Sequence, residues 1–147
     1  IVGKSESIFV ETYAELAQPN DALLAKWARI DELRQIVNKD IEALRADGKV
    51  GASLQAEVDL SVNADDLALL QSLGGEAAFA FITSALRLHA LPADAGEPQV
   101  KVTPSQLAKC DRCWHYEADV GAHAEHPLLC GRCVSNLFGE GEQRQFV

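Results

Sequence analysis

"CDRCWHYEADVGAHAEHPLLCGRC", residues 110–133, holds all four cysteines of a 147-residue chain. They stand as two Cys-x-x-Cys pairs, Cys110 with Cys113 and Cys130 with Cys133, sixteen residues apart. A Cys-x-x-Cys turn sets two sulfurs on one side of a tight knuckle. Two facing knuckles complete a tetrahedron around a metal, with Zn–S bonds of about 2.3 Å. Four thiols fill that coordination sphere and leave no position for a reacting water, so the expected site is structural, with one zinc ion. The spacing leaves three alternatives: two disulfides, a redox dithiol, or a rubredoxin-like iron on the same four thiolates. The chain is not cysteine-dense, which argues against disulfides, and a redox dithiol needs no second pair. His115, His123 and His126 lie inside the loop, but four thiols already complete a ligand set, and His115 is expected to point outward. The 38 residues 110–147 are too few for a core of their own. Metal binding would supply most of their folding free energy, on the order of 10 kcal/mol.

Trp114, His115 and Tyr116 follow the first knuckle as a bulky trio. Two readings are open. Trp114 caps a mini-core around the metal, or it is a stacking platform for an unpaired base, with Arg112 and Arg132 holding phosphate or base edges. Residues 110–147 carry three arginines against six Asp and Glu, a net charge of −3, and four thiolates deepen that. A broad electrostatic footprint for nucleic acid is absent, so any grip is confined to one or two bases.

Upstream, Leu23, Trp27, Ile30, Leu33, Val37, Ile41 and Leu44 recur at gaps of three and four, which predicts a long helix over residues 21–47 with one apolar stripe. Asn20 is placed to cap its start and Gly48 its end. Trp27 reads as a core anchor, and Lys39, Arg45 and Lys49 as a solvated face. Leu54, Ala56, Val58, Leu60 and Val62 then alternate with polar residues, the period of a half-buried strand. Asn63 caps a second helix, with Asp65 and Asp66 in its first turn where the dipole favours anions. Gly74-Gly75 breaks it. Residues 76–84, "EAAFAFITS", fit a short helix or a buried strand. Residues 84–91, "SALRLHAL", alternate again, with Arg87 and His89 on the polar face. A loop over 92–98 and a third strand in "QVKVT" close the unit at Pro104.

The expected fold class is α+β. A long helix of a helical bundle occupies 1–47, with a leading segment at 1–19 around Ile8–Val10. A small α+β unit with a short sheet occupies 48–104, and a zinc-knuckle domain with four cysteine ligands occupies 105–147. Net charge is −9, which repels nucleic acid at long range. No apolar run approaches the ~20 residues of a membrane span, and residues 1–7 do not read as a signal peptide. The chain contains no Met and is expected to be a piece of something longer.

The C-D-R-C-W-H string, the A-E-H-P run, C-G-R-C-V-S-N and the closing G-E-G-E-Q-R resemble the C-terminal tail of the bacterial isoleucyl-tRNA synthetases. "SIFVETY", "VNKDIEALRADGKVGASLQAEVDL" and "FAFITS" extend the resemblance upstream to the end of that family's anticodon-binding domain. The resemblance implies a class I enzyme that joins isoleucine to its tRNA using ATP and Mg. It also implies one zinc on Cys110, Cys113, Cys130 and Cys133, and anticodon contact from Arg112 and Trp114, with Arg132 and His115 beside them. The implied partners are isoleucine tRNA and the rest of the synthetase in cis, in a cytoplasmic monomer. Neither an H-I-G-H-like nor a K-M-S-K-S-like motif is found, so this chain alone is expected to be inactive. The alternative is a zinc-stabilised brace for the helical domain. A third reading, the zinc finger of a DNA-repair glycosylase, would want a basic finger, which this acidic tail is not.

Overall fold

A computed structural model describes Phe9, residues 18–92 and residues 96–145. Most of the segment read at 1–19 and the middle of the 92–98 loop lie outside these residues.

Helix α1 runs Asp21–Ala46. Asn20 caps it, its Oδ1 accepting from the Leu23 N–H at 3.0 Å. At the other end Gly48 takes φ +70, and the Gly48 and Lys49 N–H groups bond back to the Arg45 and Leu44 carbonyls. This is the left-handed turn that glycine adopts at least cost. Of the apolar stripe, Ile30, Leu33, Val37 and Ile41 are buried, while Trp27 and Leu44 pack at the margin. Leu23 does not join them and is exposed.

A 3-10 turn, Ser53–Gln55, leads into β1, Ala56–Val62, so the expected strand starts two residues late. Helix α2 is Ala64–Gln71, capped by Asn63, whose Oδ1 accepts from Asp66 N–H at 2.8 Å. The ambiguous stretch resolves as the short helix α3, Ala77–Phe81, which ends where Ile82 enters the left-handed region at φ 54. Strand β2, Ala85–Ala90, runs parallel to β1, and β3, Gln99–Pro104, runs antiparallel on its other side. The sheet order is β2-β1-β3.

Register separates the two faces. Val58 lies opposite Leu86 and Val102, and Leu60 opposite Leu88 and Val100. This apolar face shares one core with the α1 stripe, Leu70, Leu73 and Phe81. The stripe assigned to a helical bundle therefore covers this sheet. On the other face Arg87 spans Glu57 and Asp59 at 2.9 Å each, and His89 Nε2 lies 2.9 Å from Asp59. His89 is thus on the polar strand face, as its alternation implied.

One ion pair ties α1 to α2. Arg29 Nε and a terminal nitrogen meet the two Asp66 carboxylate oxygens at 2.8 and 2.7 Å, and Asn63 Nδ2 donates to the same group. Asp66 is only 5% exposed. The Arg29 hydrogen bonds hold its carboxyl below the usual range, against the opposing effect of burial. Arg29→Ala leaves a buried carboxylate without its cation. Breaking a buried pair costs about 3–5 kcal/mol. Arg29 is more than a third exposed, which lowers the expected loss to about 1–2 kcal/mol at pH 7. Because the folded Asp66 pKa is depressed, the pair's contribution is complete above the unfolded carboxylate value of about 3.9 and is lost as pH falls through the folded one. Denaturant titrations at pH 7 and pH 3 test this: the gap between the two proteins should narrow at pH 3.

The zinc-knuckle segment adds the two-residue hairpin β4, Ala108–Lys109, and β5, Tyr116–Glu117, then helix α4, Gly131–Phe138. Among the described residues no helix is long and apolar enough to cross a membrane.

Candidate metal centre

The first knuckle is the turn between β4 and β5. The second stands at the start of α4, with Cys130 in the capping position. Two features bring them together. Asp119 Oδ2 accepts from the Gly131 N–H at 2.8 Å, pulling the loop onto the helix start. Gly131 suits this approach, because a Cβ there would stand 2.6 Å from that oxygen. Cys130 N–H also points at Cys110 Sγ, at 3.4 Å.

The four sulfurs lie within 4.8 Å of one another, with Cys113 and Cys130 3.7 Å apart. A tetrahedral site with Zn–S bonds of about 2.3 Å has sulfurs about 3.8 Å apart. Four thiols form no disulfide here, and the space between them fits one ion. Their acidities diverge. Although burial opposes it, backbone N–H groups of Cys113, Cys130 and Arg112 bring Cys110 down to about 6. Burial pushes Cys130 up to about 12 and also raises Cys133. A divalent cation is what would let all four ionise together. Arg112 adds a donor, its guanidinium 3.5 Å from Cys133 Sγ.

The remaining sequence-derived candidates separate. Trp114 is 59% exposed, so the mini-core reading does not hold. Its N–H closes the knuckle onto the Cys110 carbonyl at 2.9 Å, and its φ is +66. A bulky side chain in that region costs about 1–2 kcal/mol. Its indole N–H reaches the Asp111 carbonyl at 3.2 Å, and Lys109 Nζ lies 5.1 Å from its ring. Arg112 is exposed.

His115 corrects the expectation of an outward side chain: it is 8% exposed. Its ring meets Phe79 edge-on at 5.4 Å. Nδ1 lies 3.3 Å from the Cys113 carbonyl oxygen, which only accepts, so Nδ1 carries the proton. Burial, then the nearby Arg132 charge, holds the ring below its usual pKa. Arg132 is half-buried over the Phe79 ring and lies 3.4 Å from Glu142. Glu142 in turn is held by Asn136, through a 3.0 Å bond to its carboxylate and a 2.7 Å bond from its N–H. This clasp of the closing segment on α4 is absent from the sequence reading, because nothing in the local pattern folds Glu142 back onto the helix.

The family model described as a zinc finger found in FPG and IleRS matches residues 109–136. Isoleucine–tRNA ligases from Cupriavidus taiwanensis and Janthinobacterium sp. (strain Marseille) are each 49% identical, over 142 and 148 residues. That from Ralstonia pickettii (strain 12J) is 50% identical over 142. The matches cover 95–99% of this chain. The chain spans about 15% of the length of these curated relatives. Four converging thiols and the matched finger together make this a zinc site. Over nearly its whole length the chain is similar to the C-terminal region of isoleucine–tRNA ligases, and its cysteine segment to the zinc finger of that family and of FPG.

Proposed function

We propose that this chain is the zinc-folded, tRNA-contacting region of an enzyme that joins isoleucine to its tRNA using ATP and Mg. The identity of about 49% along nearly the whole chain carries that reading. ATP, Mg and isoleucine would be handled by segments outside this chain, which alone activates no amino acid. Its partners would be the rest of the synthetase in cis and the anticodon arm of isoleucine tRNA, in a cytoplasmic monomer. The boundaries 1–47, 48–104 and 105–147 would mark its three parts.

Trp114 supports the RNA contact. An exposed indole held in a costly backbone conformation is neither buried for packing nor placed for local ease. Lys109 and Arg112 stand beside it as cations, one at the ring and one at the knuckle. That is the pairing that single-stranded bases stack against. Arg132 and His115 would act behind this face, since both are engaged inward.

A second reading, the brace, is favoured by the net charge of −9 and by the Arg132–Glu142 clasp. Binding at low salt separates the two. Isoleucine tRNA should bind more tightly than the same tRNA with a changed anticodon. Equal or absent binding favours the brace.

A further inference from the structure

The zinc segment does not hang free of the α+β unit. Three side chains from the stretch between α2 and β2 reach it: Glu76, whose carboxylate accepts from the Gln145 N–H at 2.5 Å, Ser84 and Phe79. The Ser84 hydroxyl donates to the Leu54 carbonyl and accepts from the Tyr116 N–H at 2.7 Å. One hydroxyl thereby joins the turn before β1, the start of β2 and the hairpin strand β5. Phe79, on α3, makes a further attachment. Its ring takes the His115 edge at 5.4 Å and carries the Arg132 and Arg144 guanidinium carbons at 4.8 and 4.2 Å from its centroid. Aromatic edges and cations over a ring face are attractive and depend on orientation.

What the seam aligns is a cleft of about 260 Å³. One wall is the 51–55 turn, where the Gln55 carboxamide oxygen accepts from the Gly51 N–H at 2.9 Å. The other wall is Lys109, Trp114 and Tyr116 of the zinc segment. Neither unit forms this cleft alone, so its width depends on how the two are docked.

We infer that Phe79 and Ser84 are positioning residues, which lock the zinc segment onto the α+β unit and so set Trp114 opposite the 51–55 turn. The lock rests on geometry within the chain; its bearing on tRNA rests on the reading of Trp114 as an RNA contact. Neither residue need touch RNA. Loss of the Phe79 ring should loosen the segment without disturbing the metal, because the ring's partners are His115, Arg132 and Arg144 rather than the cysteine ligands.

Amide exchange of the 147-residue chain tests this with an internal control. The Tyr116 N–H crosses the seam to Ser84, whereas the Cys110 N–H bonds the His115 carbonyl within the zinc segment at 2.9 Å. In Phe79→Ala, Tyr116 exchange should rise at least tenfold, Cys110 exchange should hold, and bound zinc should stay at one per chain. Phe79→Tyr, which keeps the ring, should restore Tyr116 protection. Unchanged Tyr116 exchange in Phe79→Ala overturns the proposal. A parallel rise at Cys110, or loss of zinc, also overturns it, since the residue is then part of the segment's folding. tRNA affinity is measured on the same variant. A seam that opens with no change in affinity upholds the lock and counts against the RNA reading instead.

Discussion

Removing zinc with a strong chelator should unfold residues 110–145 and leave the three-stranded sheet standing. The two parts have separate interiors. The apolar core of Val58, Leu60, Leu33 and Phe81 contains no cysteine, whereas the zinc segment's interior is Cys110, Cys130 and Cys133 with Cys113, Val120 and Leu129 at its edge. So small an apolar cluster cannot offset the conformational entropy of more than thirty residues, which costs about 1–2 kcal/mol each for the backbone alone. Metal coordination must supply the difference, on the order of 10 kcal/mol. Amide exchange should therefore show global loss of protection at Cys110 and along α4, with β1 amides retained. Cys133→Ser should do the same without chelator. A segment that stays protected after its metal is removed would contradict this dependence.

Substitutions at Trp114 should separate binding from folding. Trp114→Gly relieves a left-handed backbone that costs a bulky residue about 1–2 kcal/mol, so the zinc segment should be at least as stable as before. Trp114→Ala keeps the strain and loses little packing, because the indole is exposed. On the proposed reading both remove a stacking surface worth about 1–3 kcal/mol per base. Affinity for isoleucine tRNA should therefore drop about tenfold to a hundredfold in both, with bound zinc unchanged. Lost zinc or lowered stability in Trp114→Gly, with tRNA affinity intact, would make Trp114 a structural residue.

The parts legible in the sequence are those set by local chemistry. Asn20 and Asn63 cap their helices because a short side-chain oxygen satisfies first-turn N–H groups wherever it stands at that position. Val58 and Leu60 face inward because strand side chains alternate. The four cysteines converge because each knuckle pre-pairs two of them. What escaped the sequence depends on distant residues. Asp66 read as a first-turn anion for the α2 dipole, yet its partner Arg29 is 37 positions away. His115 read as solvated because the ring that covers it, Phe79, lies in a stretch ambiguous between helix and strand. Arg132 read as free for phosphate until Glu142 folded back onto α4. In each case an element's own period was right and the neighbour was not visible in it.

The most direct measurement is an amide and indole N–H footprint of the zinc-loaded chain with and without isoleucine tRNA at low salt. Protection is predicted to centre on residues 111–116, including the Trp114 indole, and on the 51–55 turn across the cleft. Protection confined to the polar sheet face of Arg87 and of Lys101, which lies opposite Asp59 on β3, or none at the first knuckle under saturating tRNA, would contradict the assignment of this face to RNA.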